Sequence, residues 1–188
     1  MESQKSKAQT VDNTYKLFTI NNLQFTIKMK SILKIALTSA LICLISFQSN
    51  AQASKYKCML QMANYMGEGA YIVVSLINPK GEYEKTLYVM GDDKKWYKSL
   101  KEWNKFHTAK NDNISAISGA SVTGGDRSVT TFEIDESKIN KGYKLRFESA
   151  VEDQKYYVSD LEIPLTTAGL ADKTEGKGYI RYVRLNKI

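Results

Sequence analysis

Apolar and polar residues alternate with a period of two from Lys55 to Met62, where Tyr56, Cys58, Leu60 and Met62 share one side and Lys55, Lys57 and Gln61 the other. That pattern predicts a half-buried strand. Tyr71 to Ile77 is a nearly continuous, β-branched apolar run, YIVVSLI, which predicts a central strand buried on both faces. Asn78-Pro79-Lys80-Gly81 is turn chemistry, and Tyr83 to Met90 supplies the returning arm of a hairpin. Further strands are expected at Ser128 to Ile134, at Tyr143 to Phe147, at Val158 to Ile163 and at Tyr179 to Leu185, with the polar stretch Thr166 to Gly178 as a loop. Between the hairpin and these strands, Asp92 or Asp93 caps an expected helix whose Trp96, Leu100, Trp103 and His107 are spaced by four, three and four. Seven or so short strands and one helix predict an all-β fold. The expected architecture is an immunoglobulin-like antiparallel β-sandwich with one short amphipathic helix plugging its open end.

The N-terminal part of the chain follows another pattern. Lys28, Lys30 and Lys34 precede an apolar run from Ile35 to Phe47, and Ser49-Asn50-Ala51 and Ala51-Gln52-Ala53 offer small-residue cleavage sites. This is the pattern of a secretory signal peptide, in a run shorter than the ~20 residues a spanning helix needs. The chain therefore divides into an N-terminal extension of residues 1–28, read as a mis-called start or a disordered stretch, a signal peptide at 29–53, and a single β-sandwich domain at 54–188. The expected location is periplasmic or otherwise exported, and membrane contact arises only through partners or an uncleaved signal.

Removal of the signal changes the charge and the cysteine count. Residues 1–53 carry six lysines and two acids, a net +4, so the overall +7 leaves +3 for the domain. That balance gives no ground for nucleic-acid binding. Cys43 leaves with the signal, so Cys58 stands alone, and its place in the alternating pattern predicts a buried structural thiol.

Small residues, hydroxyls and glycines concentrate in one stretch, Asn113 to Val129. Ser118, Gly119, Ala120 and Ser121 are followed by Thr123 and Gly124-Gly125, so several hydroxyls sit on lightly shielded backbone. The plain interpretation is a glycine-bearing surface loop between strands; the sharper one is an accessible attachment loop. Elsewhere the chemistry is sparse. The lone His107 has no second histidine and no cysteine partner, which makes a poor metal site. No serine has a nucleophile-elbow context, so an independent enzyme is the least favoured class. Gly67-Glu68-Gly69 lacks a third glycine and leads into a strand, which excludes a dinucleotide loop.

The Ser118 to Thr123 run resembles the segment by which FMN-binding subunits of Rnf-type and sodium-pumping reductases carry covalent flavin. Ser121 stands where that pattern usually has threonine. Blocks along the domain also resemble a family of predicted periplasmic proteins known only as a domain of unknown function. They are AYIVVSLINPKGEYEKTLYVMG, WYKSLKEW, ISGASVTGG and NKGYKLRFESAVED, in that order. The resemblance implies FMN attached covalently at Ser121, with Ser118, Gly119, Ala120 and Thr123 forming the attachment loop. It also implies a flavin transferase and a PepSY-type membrane redox protein as partners, and thus an electron-transfer protein. The alternative is a non-catalytic binding or assembly module in an exported redox or iron-acquisition system.

Overall fold

The structure, a computed structural model, describes residues 52–188. The expected N-terminal extension and almost all of the expected signal peptide lie outside the described residues.

Among the described residues, nine strands form two sheets. They are β1 (Ala53–Met62), β2 (Tyr71–Ile77), β3 (Tyr83–Met90), β4 (Ser118–Gly119), β5 (Arg127–Asp135), β6 (Lys144–Ala150), β7 (Tyr156–Pro164), β8 (Thr174–Glu175) and β9 (Ile180–Lys187). One sheet has the order β5-β1-β9-β8 and the other β4-β3-β2-β6-β7. Every pair is antiparallel except β3 with the two-residue β4. The domain is thus mostly strand, in two packed layers consistent with a β-sandwich.

Inward residues of both sheets make the main core. Tyr56, Cys58, Leu60 and Met62 of β1 meet Ile72, Val74 and Leu76 of β2, Leu145 and Phe147 of β6, and Val183 and Leu185 of β9. Alternation in β1 produces this directly, because successive side chains leave a strand on opposite faces. The continuous apolar run of β2 has the expected cause. Its Val73 faces away from the main core into a second cluster with Val89, Tyr97, Leu100, Trp103, Ile114 and Ala150.

That second cluster corrects two expectations about the helix. The segment after Asp93 is a 3-10 helix, Lys94–Ser99, followed after Leu100 by a separate helix α1 (Lys101–Lys110). Three residues per turn bring Tyr97 and Leu100 to one face and rotate Trp96 off it, so the buried set is Tyr97, Leu100 and Trp103. The pair of helices covers the outer face of the five-stranded sheet, where Val73, Val89 and Ala150 need a partner; it does not plug the open end.

The stretch expected as a loop at 166–178 also holds structure. Thr166 caps a short helix α2 (Thr167–Ala171) by accepting from Gly169 N at 3.0 Å, and β8 follows, paired with β9. Asp160, fully buried on β7, ties the β8–β9 turn down. It accepts from Lys177 N at 2.9 Å, Gly178 N at 2.6 Å, Ile180 N at 3.0 Å and Ser149 Oγ at 2.5 Å.

Candidate functional site

The Ser118 to Thr123 segment is held at both ends by backbone hydrogen bonds. Ser118 and Gly119 form β4 against Val89 and Met90, so what reads as loop in the sequence is partly a sheet edge. Gly91 N donates to the Gly119 carbonyl at 2.5 Å. On the other side, Ala70 and Val122 exchange two backbone bonds of 2.8 and 3.1 Å, and the Val122 side chain is buried. The Tyr65 hydroxyl spans this junction, 2.9 Å from the Val122 carbonyl and accepting from Ala70 N at 2.9 Å. Ala120 and Ser121 project between the two anchors, both exposed. Ser118 Oγ donates to the Ser115 carbonyl at 3.3 Å, and the exposed Thr123 opens a turn in which its carbonyl accepts from Asp126 N at 3.1 Å.

Ser121 lines a cleft of about 140 Å³. Glu68, Tyr71, Trp96, Ser99 and Glu152 line it with Ser121, and Gly69 lies against the Ser121 side chain. The 3-10 segment brings Trp96 here through the same turn that removes it from the core. Lys95 sits over its ring at 5.2 Å from the centroid, while Lys95 itself pairs with Asp93 at 2.9 Å. Sequence reasoning placed neither carboxylate here. Glu68 lies between Gly67 and Gly69, and Glu152 is followed directly by Asp153; neither spacing singles out a site.

The second tryptophan plays no part in the cleft. Trp103 is fully buried, donates from Nε1 to Thr86 Oγ1 at 2.9 Å, and stacks on His107 at 4.9 Å with an interplanar angle of 3°. The single apolar face expected of Trp96, Leu100, Trp103 and His107 is therefore divided, with Leu100 and Trp103 buried and Trp96 lining the cleft. His107 is part of that packing, and among the described residues no group of three or more His, Cys, Asp or Glu is placed to hold a metal ion.

The cleft constrains what Ser121 can do. No histidine, lysine or arginine lines it, and its carboxylates are those of Glu68 and Glu152. A cavity of this size is below the roughly 300 Å³ at which pockets begin to enclose a small molecule. Two carboxylates and no cation also disfavour the phosphate of free FMN. Any flavin held here would have to be tethered and lie largely outside the cleft, which Trp96 and Tyr71 line. A larger groove, about 730 Å³, opens at Tyr56, Ile139, Leu170 and Leu185, but its rim groups satisfy one another: Lys187 pairs with Glu136, and Asn140 bonds Thr167.

Beneath the helices lies a second polar constellation. Glu148 of β6 is fully buried and accepts from the hydroxyls of Tyr83 and Tyr156. Burial pushes its carboxyl above the ordinary glutamate range, opposed in part by those hydroxyls, by the Trp103 backbone N–H and by Arg146. Burial and the same carboxylate raise both phenols. Tyr156 Oη also accepts from Glu102 N at 3.1 Å, so Glu148 anchors the first turn of α1, whose cap residue Leu100 provides no side-chain acceptor.

Comparison with known proteins matches the domain to a family model. The family model for domain of unknown function 2271, described as a predicted periplasmic protein, covers residues 53–182. No curated protein and no solved structure matches the chain. The matched span begins at the first residue of β1 and ends within β9, so it takes in both sheets, the helical layer and the Ser121 cleft. The chain belongs to the domain of unknown function 2271 family of predicted periplasmic proteins, and its place is the periplasm or another exported location.

Proposed function

We propose that this protein, exported behind a signal peptide and folded as an immunoglobulin-like sandwich, is an electron carrier bearing FMN on Ser121. The observation that carries the reading is an exposed hydroxyl on backbone tied down at both sides, beside the half-buried ring of Trp96. A transferase needs such a geometry: the acceptor must be reachable while its neighbours stay fixed. FMN alone has no leaving group, so the donor is a flavin pyrophosphate such as FAD. Ser121 Oγ bonds to the FMN phosphorus, the P–O bond to AMP breaks, AMP departs, and the hydroxyl proton passes to the transferase or to water. Once attached, FMN supplies one- and two-electron chemistry, and the chain supplies tether, orientation and local charge. The partners are the flavin transferase and a PepSY-type membrane redox protein.

Intact mass of the mature domain, exported together with a flavin transferase, tests the reading. The expected result is a mass increase of one FMN in the wild type and none in Ser121→Ala, with free FMN failing to bind either form. An unmodified wild type would replace the electron carrier with a non-catalytic binding module.

A further inference from the structure

We infer that Gly69 is the positioning residue for the Ser121 hydroxyl, a role that rests on the attachment reading above. Gly69 does not need to be glycine for its backbone. Positive φ values occur at Gly67, Gly81, Gly91, Gly125 and Gly142, and Gly69 is not among them. Space is what it provides. A Cβ at Gly69 would stand 2.6 Å from Ser121 Oγ and 3.1 Å from Ser121 Cβ, so the hydroxyl occupies the volume that any other residue would fill.

The contact is fixed from both sides. Ala70, next to Gly69, bridges to Val122, next to Ser121, and Tyr65 Oη bonds both partners of that bridge. The two backbones therefore cannot drift apart to admit a methyl group. An alanine at 69 displaces the nearest movable atom, the Ser121 side chain, and turns Oγ out of its place. Displacements of this size at a reacting atom cost on the order of 10²-fold in rate. A packing glycine far from an acceptor would have no such effect.

The test uses purified wild type, Gly69→Ala and Ser121→Ala, each incubated with FAD and a flavin transferase, with transfer followed by mass and in-gel flavin fluorescence. The expected result is a normal thermal midpoint for Gly69→Ala with kcat for transfer at least about tenfold lower and KM for the protein substrate unchanged, because the hydroxyl moves and the docking surface does not. A purely structural glycine would lower the midpoint and leave kcat of the folded fraction intact, and that outcome, or transfer at the wild-type rate, overturns the inference while the attachment reading stands. Wild type that remains unmodified overturns both. If Gly69→Ala fails to fold, Tyr65→Phe decides the point: it keeps the ring and removes the hydroxyl that locks the bridge, and kcat must again fall with KM unchanged.

Discussion

Cys58 shows how completely a single residue's chemistry is set by its place in a strand. Its side chain enters the main core from β1, and burial pushes the thiol up to about 12. With the thiolate disfavoured by several pH units, the sulfur is neither nucleophile nor redox sensor. A thiol reagent at pH 8 is therefore expected to leave the folded mature domain unlabelled and to modify one cysteine per chain in denaturant; fast labelling of the folded protein would place the sulfur at the surface. The Ser121 hydroxyl is the opposite case, exposed on anchored backbone. Period-two patterning revealed the burial of Cys58 because its neighbours at Tyr56, Leu60 and Met62 repeat the same environment. The partners of Ser121 were hidden, since Gly69 and Glu152 come from segments about 50 and 30 residues away and meet it only through the fold.

Elements were legible where one period ran unbroken. β1, β2, β3 and β5 stand within two residues of their expected positions. The helical segment was read at a single period of 3.6, and the change to three residues per turn before Leu100 exchanged Trp96 for Tyr97 in the core. Neither composition nor spacing marks that change; it becomes visible in the Tyr97 hydroxyl, which donates to the Gly91 carbonyl at 3.1 Å, and in the edge contact of its ring with Trp103 at 5.2 Å. The short α2 and β8 were lost for a related reason, being too brief to show a period. Apart from the β2–β3 hairpin, which its Asn-Pro-Lys-Gly turn announces, strand pairing was equally invisible, because periodicity reports faces and not neighbours. The consequence for α1 is testable. Trp103 is the largest fully buried side chain, so Trp103→Ala is expected to cost about 3–5 kcal/mol in urea unfolding, with Thr86 Oγ1 losing its donor. A loss below about 1 kcal/mol would mean that the helical layer is not fastened through this ring.

For the molecule as a whole, stability depends on how three layers are joined, and the joint between the five-stranded sheet and the helices contains a buried acid. Glu148 sits between Tyr83 on β3, Tyr156 on β7 and the first turn of α1, so its protonation state bears on the whole helical layer. Its carboxyl is raised above the ordinary value of 4.5 by burial. Between that value and the raised one, the folded protein holds a proton that the unfolded chain has released. Unfolding free energy therefore falls as pH rises through this window, and the contribution is fully present only below the ordinary value. Glu162, Glu136 and Asp93 are shifted the other way: Lys144 and Arg146 pull Glu162 down against its burial, Lys187 pulls down Glu136, and Lys95 pulls down Asp93. Their support is present above the ordinary carboxylate values and disappears as pH falls through the lowered ones, outside the Glu148 window. Glu148→Gln isolates the buried acid, because the amide imitates the protonated carboxyl at every pH. Urea unfolding from pH 4 to 8 is expected to show wild type and variant close together at the acid end, with the wild type losing ground to the variant as pH rises. A constant difference across that range would mean that Glu148 ionises at its ordinary value, and that the two tyrosines and the helix N-terminus compensate its burial in full.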